Sequence, residues 1–223
     1  MSDVSVNALI ERWNLLDAKA TGRMRAVASV GARLFGEKGY LNVTMEDIAA
    51  ESGISKGGIY YYFKSKTEIL FFVVNTTIDD LLRGLPEELS IEPLARERVH
   101  MLMRRQLDYY YGHLHEVQTL LNDRKLLTRD FMRLVDLKEQ RYFRIVEAQI
   151  ADLVPGTDPG RLAALTFAFF GLCNWIPSWY RLDGPLSIDE ICDVNFQLFI
   201  HGLSSFGSPG ERATTTSADG PAA

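Results

Sequence analysis

Two cysteines among 223 residues, Cys173 and Cys192, are too few for a disulfide framework, and no Cys-x-x-Cys spacing offers a pair of metal ligands. Both fall inside apolar helical patterns, which predicts buried free thiols in a reducing compartment. Long apolar runs are also missing. The longest to consider, Leu162 to Ile176, has 15 residues and includes Thr166 and Asn174, whereas a membrane-crossing helix needs about 18 to 20. The first residues, Met1 to Leu16, carry Asp3, Glu11 and Arg12 and lack the basic-then-apolar order of a secretory signal. A cytoplasmic chain without a membrane partner is expected. Positive charge is in deficit: 24 Lys and Arg face 29 Asp and Glu, a net of −5, which excludes holding nucleic acid by bulk charge. There is no Gly-rich phosphate loop after a strand, no Ser or Cys nucleophile motif and no marked carboxylate pair, so no catalytic residue, cofactor or metal site can be named. His113 and His115, two apart, point to different sides of a helix, and His100 and His201 are isolated.

What is present is ordinary for a folded protein: 47% hydrophobic, 24% charged and 11% aromatic residues, enough for one or two domains with a sizeable core. Pro and Gly cluster at Gly84-Leu85-Pro86, Pro155-Gly156, Asp158-Pro159-Gly160, Pro177 and Gly184-Pro185. Between these breaks apolar residues recur at helical spacing, without strand alternation. Thr44 to Asp47, Ser65 to Glu68 and Ser187 to Glu190 each place a hydroxyl three residues before a carboxylate, the spacing of a capping box. Asp158-Pro159 adds an N-cap followed by proline at the first helical position. The expectation is an all-α chain of about nine helices, closed by a disordered tail over residues 207–223, which hold no large apolar residue.

Charge is unevenly placed. Residues 1–66 hold nine Lys and Arg against seven acids, and residues 67–223 hold 15 against 22. From Ser52 to Lys66 there are three lysines and no acid. A compact basic stretch in an acidic chain points to a nucleic-acid reader. Just before it Ile48 and Ala49 face inward on a short helix, and within it Gly53 supplies a positive-φ turn and Ser55 caps a second helix of about two turns. That is the pattern of a helix-turn-helix motif, whose second helix enters the DNA major groove. Gly57 and Gly58 are poor helix formers but would let the backbone approach DNA. Lys56 is placed to reach a base edge or phosphate. Tyr60, Tyr61 and Tyr62 spread over about 200° of the helix surface, so some face outward. Lys64 and Lys66 lie at the helix exit.

The string from Lys19 to Lys66, about 48 residues, resembles the N-terminal domain of the TetR family of bacterial transcription regulators. It carries that family's pattern in Phe35, Gly39, Tyr40, Thr44, Ile48, Ala49, Gly53, Ile54, Ser55, Gly57, Ile59, Tyr60, Tyr62, Phe63 and Lys66, with Ile69 in place of the more usual Leu. The resemblance implies phosphate contacts from Thr44, Tyr60, Tyr61, Tyr62 and Lys66, groove contacts from Lys56, Gly57 and Gly58, and a core role for Ile59 and Phe63. With Ser55 and Lys64, these form the candidate DNA-binding set. It also implies a homodimer on a palindromic double-stranded operator. The expected division is an N-terminal extension at 1–18, a three-helix DNA-binding domain at 19–66, a helical ligand-binding and dimerisation domain at 67–206, and the tail. In the extension Leu9, Trp13 and Leu16 share one helical face, and its acids favour packing on the body over entry into a DNA groove.

In the second half the two most apolar helices, from about Pro159 and Ser187, suit a four-helix dimer interface, with Ala163, Ala164, Ala168 and Gly171 allowing close approach. The segment between them is more distinctive. Asn174, Trp175, Trp179, Tyr180 and Arg181 offer aromatic surface beside a fixed cation, and form the candidate ligand-binding set. Followed by Gly184-Pro185-Leu186-Ser187 and Glu190-Ile191, the pattern is similar to a TetR subset that senses coenzyme A thioesters, which implies a repressor released by an acyl- or aryl-CoA effector. Asp183 is a charge this likeness does not explain. A drug- or hydrophobe-sensing repressor, and a helical acyl-CoA-binding protein or enzyme, remain the competing readings.

Overall fold

The computed structural model describes residues 6–181 and 183–204; the expected tail lies outside them. Among the described residues there are eleven α-helices, three 3-10 turns and no strand. They are α1 Val6–Asn14, α2 Ala18–Lys38, α3 Met45–Ser52, α4 Lys56–Tyr62, α5 Lys66–Leu82, α6 Leu85–Ile91, α7 Ala95–Gly112, α8 Leu114–Asp123, α9 Arg129–Ala151, α10 Pro159–Asn174 and α11 Ile188–Ser204. The all-α expectation holds. The count exceeds about nine in part because α6 is a separate two-turn helix: Gly84 takes a left-handed φ of 69° and Pro86 opens the next turn.

The caps form largely as the spacing dictates. Thr44 and Asp47 make a reciprocal box, with Thr44 Oγ1 accepting from Asp47 N at 3.1 Å and the Asp47 carboxylate accepting from Thr44 N at 2.8 Å. Ser187 and Glu190 do the same, and Asp158 accepts from Arg161 N. Ser65 accepts from Glu68 N, but the Glu68 carboxylate turns to Lys64 N and to Arg12. That box is half built, its carboxylate being taken by the Lys64 N–H and by Arg12 of α1.

α5 is the axis of the molecule. Its apolar run from Ile69 to Val74 is buried on every face, as are Ile78, Leu81 and Leu82 further on, and α2, α7, α8 and α9 pack on it. α10 lies on α9 and α7, and α11 on α7. The extension is a packed helix: Leu9 and Trp13 are buried, and the Trp13 ring meets Phe63, Phe71 and Phe72 at 5.8, 5.9 and 5.1 Å. Phe71 stacks in turn on Phe131 of α9, centroids 4.2 Å apart. One aromatic chain therefore ties the N-terminal helix to the body.

Candidate DNA-reading helix and effector cavity

The reading helix α4 is seven residues long, too short to persist alone, so its neighbours must hold it. Gly53 ends α3 in a left-handed conformation, φ 67°, with its N–H donated to the Ala49 and Ala50 carbonyls. Ser55 then caps α4 by accepting from Gly58 N at 3.1 Å. Ile59 and Phe63 are fully buried against the head's core, which also holds Ile48 and Ala49. At the far end, Arg12 and Trp13 of α1 both donate to the Tyr62 carbonyl, at 3.1 and 3.3 Å. Arg12 also pairs with Glu68 at 2.9 Å.

What α4 turns outward is a small set. Lys56, Gly57, Tyr61 and Lys64 are exposed, Tyr60 is partly exposed, and Thr44 stands exposed at the start of α3. Gly57 opens onto free space. Lys56 Nζ lies 2.6 Å from the Glu46 carboxylate, which that contact holds below the usual carboxylate range. Lys64 Nζ reaches the Tyr60 carbonyl at 2.6 Å.

Three members of the candidate set are placed differently from expectation. Lys66 donates to the Tyr40 and Val43 carbonyls, both at 2.6 Å, and lies over the Tyr40 ring at 4.4 Å. Burial holds its ammonium below the usual range. It closes the 3-10 turn Tyr40–Asn42 and has few donors left for a phosphate. Tyr62 is buried, because the inward face of α4 needs a large ring between Ile59 and Phe63. A Cβ on Gly58 would stand 2.7 Å from Ile54 Cγ2 and 3.2 Å from Ser55 Oγ, so packing within the motif itself requires this glycine.

The body holds a cavity of about 580 Å³, within the usual range for a small-molecule site. Ile78 and Leu81 of α5, Leu120 and Leu121 of α8, and Phe143, Phe167 and Phe170 of α9 and α10 make it apolar. Its polar wall is a closed network around Gln106, which is buried. Gln106 donates to the Tyr110 hydroxyl at 2.8 Å and to Asn174 Oδ1 at 2.9 Å, and accepts from the Tyr142 hydroxyl at 3.1 Å. The Tyr110 hydroxyl donates to Asn174 Oδ1 at 2.6 Å. Burial raises both phenols above their ordinary range, so they stay neutral donors. Arg124, Glu139, Gln140 and Arg144 also line it. Arg124 pairs with Glu139 and Asp136, yet burial outweighs that pairing and raises the Glu139 pKa.

Of the candidate ligand set, only Asn174 lines this cavity. Trp175 is 70% exposed and Trp179 50%. The Arg181 side chain is 76% exposed and paired with Asp183, Nε to Oδ1 3.2 Å. Asp183 is thus the partner of Arg181. Trp175 continues an outward face that includes Ala164, Phe167, Ala168 and Gly171 on α10, with Val194 and Leu198 exposed on α11. The sequence reading missed Gln106, Tyr110, Tyr142, Arg124 and Glu139. One available signal was Gln106 and Tyr110, four apart on the buried stripe of α7.

Both cysteines are buried and free; burial raises the Cys173 thiol pKa and pushes that of Cys192 up to about 11. Among the described residues no group of His, Cys, Asp and Glu could hold a metal, and no helix is long and apolar enough to cross a membrane.

A short capped helix presented by a helix-turn-helix head, on a helical body with its own cavity, defines a DNA-binding regulator. The chain belongs to the TetR family. Residues 28–72 match the family model for bacterial regulatory proteins of the tetR family, and residues 92–203 match the tetracyclin repressor-like C-terminal domain. The HTH-type transcriptional repressor KstR2 of Rhodococcus jostii is 24% identical over 191 residues, covering 83% of this chain and 93% of that protein. A TetR-family regulator from Bordetella parapertussis superposes with a TM-score of 0.76 at 25% identity, over 83% of this chain and 98% of that one. AibR, solved with isovaleryl coenzyme A and operator DNA, gives 0.69 at 25% identity, over 79% of this chain and 97% of its own.

Proposed function

We propose that the chain is an operator-binding homodimer that represses transcription until an acyl or aryl coenzyme A thioester enters the body cavity. The observation that carries this reading is the origin of the cavity wall. Ile78 and Leu81 belong to α5 and Leu120 and Leu121 to α8, and both helices also pack on α2 of the head. Whatever fills the cavity bears on the elements that position the head. A further tie is the bidentate pair of Arg25 on α2 with Asp80 on α5, at 2.7 and 3.0 Å. AibR, similar along most of the chain, supports the thioester class by the ligand and DNA in its complex.

Thr44, Lys56, Gly57, Tyr60, Tyr61 and Lys64 are the residues we assign to DNA, with Ser55, Gly58, Tyr62 and Lys66 holding them in place. The outward face of α10 and α11 is assigned to the second copy, which sets two heads at the spacing of successive major grooves. To move the dimer from 1% to 99% released, the effector must prefer the released state by about 5.5 kcal/mol. The test is anisotropy of a labelled operator, selected from genomic fragments, titrated with short, long and aromatic thioesters and their free acids. Release by thioesters and not by acids supports the reading. Release only by uncharged apolar compounds would make the protein a hydrophobe sensor, and thioester turnover without sequence-specific DNA binding would make it an enzyme.

A further inference from the structure

We propose that the nucleotide end of the effector lies in an open groove between α6 and α9, held by Arg141 and Arg144, and not at Arg181; this rests on the thioester reading above. The groove has a volume of about 750 Å³, with Pro86 and Leu89 on one wall and Leu137 and Ile145 on the other. It shares Gln140 and Arg144 with the body cavity, so the two hollows adjoin at these side chains along α9, and the proposal sets one extended molecule across both. Leu137, Arg141, Arg144 and Ala148 follow one another at i, i+4, i+7 and i+11, on a single face of that helix.

Charge distinguishes this groove from the aromatic segment. Among the described residues Arg141 and Arg144 have no carboxylate within ion-pair distance, whereas Arg124 is paired with Asp136 and Glu139, and Arg181 with Asp183. Two exposed guanidiniums one helical turn apart repel each other mildly, and an anion between them relieves this. The nucleotide end of coenzyme A supplies what the groove lacks: a diphosphate and a 3′-phosphate for bidentate guanidinium contacts, and a purine for the apolar walls. The acyl group would then lie among Phe143, Phe167 and Phe170 in the cavity.

Calorimetry with three probes separates the parts. Octanoyl-CoA carries the whole molecule, octanoyl-pantetheine lacks the nucleotide, and adenosine 3′,5′-bisphosphate is the nucleotide alone. Each is titrated into the wild type, Arg141→Ala, Arg144→Ala, the double variant and Arg181→Ala. The proposal expects the bisphosphate to bind the wild type and Arg181→Ala and to lose binding in the double variant. It expects the preference for octanoyl-CoA over octanoyl-pantetheine to fall by about tenfold for each groove arginine removed. A general loosening of the fold would lower both thioesters together and leave that ratio unmoved. The proposal is overturned if the bisphosphate does not bind the wild type, if the double variant keeps the wild-type ratio, or if the ratio falls only in Arg181→Ala. Operator release by octanoyl-CoA is scored separately. Bisphosphate binding through Arg141 and Arg144 without release by any thioester of the panel would refute the sensing function and leave the anion subsite standing.

Discussion

The paired glycines of the reading helix invite a test in which two chemically identical changes have opposite effects. Gly57 and Gly58 occupy the first turn of α4, and alanine is a better helix former than glycine by up to about 1 kcal/mol. At Gly57 the new methyl group meets nothing within 4 Å, so Gly57→Ala should stabilise the free protein by up to that amount. For a chain of this length each kcal/mol moves the melting temperature by about 2–4 °C. At Gly58 the same methyl stands 2.7 Å from Ile54 Cγ2 and 3.2 Å from Ser55 Oγ. The Ile54 methyl is a β-branch with little rotameric freedom, and the Ser55 oxygen already accepts the cap bond from Gly58 N. Relief therefore requires moving the α3–α4 turn, which costs about 1–3 kcal/mol, so Gly58→Ala should melt lower despite its better propensity. On DNA the stable variant should also suffer. A methyl at Gly57 lies where the backbone is to meet the groove, and operator affinity should drop by about tenfold, or 1.4 kcal/mol. Thermal melts and anisotropy titrations on both variants decide the matter. A higher melting point for Gly58→Ala would refute the packing argument, and an unchanged operator affinity for Gly57→Ala would refute the close approach.

The other expectations can be checked with standard measurements. Lys66→Ala should lose about 1–3 kcal/mol of stability, because the Tyr40 and Val43 carbonyls lose a charged donor; an unchanged melt with a salt slope lowered by one unit would restore it to the phosphate contacts. Lys56→Ala should weaken operator binding, and Glu46→Gln should strengthen it, since Glu46 competes with DNA for the Lys56 ammonium; opposite signs in anisotropy would remove Lys56 from the interface. Ala168→Glu, a charge placed on the outward face of α10, should give a helical monomer by light scattering with little operator affinity, and a monomeric wild type at micromolar concentration would refute the assigned dimer face. Trp13→Ala should cost about 3–5 kcal/mol, measured by denaturant melts, because the ring touches Phe63, Phe71 and Phe72 at once.

The reading head was legible because its determinants are local. A left-handed glycine at 53, a serine cap at 55 and a threonine box at 44 act over three or four residues, so their spacing carries nearly all of the geometry. Where a side chain's fate depends on remote backbone, the sequence was silent. Nothing near Lys66 says that carbonyls 23 and 26 residues earlier will take its ammonium. Three successive tyrosines guarantee that some face outward, but only the packing of α4 on Ile59 and Phe63 selects Tyr62 as the buried one. The cavity is the extreme case. Its polar wall joins Gln106, Tyr142 and Asn174 from three helices, a relation no local periodicity encodes. The segment around Trp175 was legible as unusual but not as exposed: its apolar content reads the same whether it faces a ligand, the core or a second chain.

A reading helix of seven residues can transmit force only if both of its ends are fixed, and the two ends of α4 are fixed by different parts of the chain. Ser55 holds the first turn from within the motif. The last turn is held from outside: Arg12 and Trp13 donate to the Tyr62 carbonyl, and Arg12 continues to Glu68 at the start of α5. α1 therefore binds the C-terminal end of α4 to the N-terminal end of α5, whose other end lines the cavity through Ile78 and Leu81. On the proposed function, a displacement of α5 by an occupant would reach α4 through the hydrogen bonds at its exit and through the buried rings of Phe63 and Phe72, 5.4 Å apart. Without α1 that junction would lose three of its hydrogen bonds and keep the packing of Phe63 and the Lys64 N–H to Glu68. On that proposal the extension would belong to the coupling between cavity and head, although none of its residues needs to touch DNA or effector.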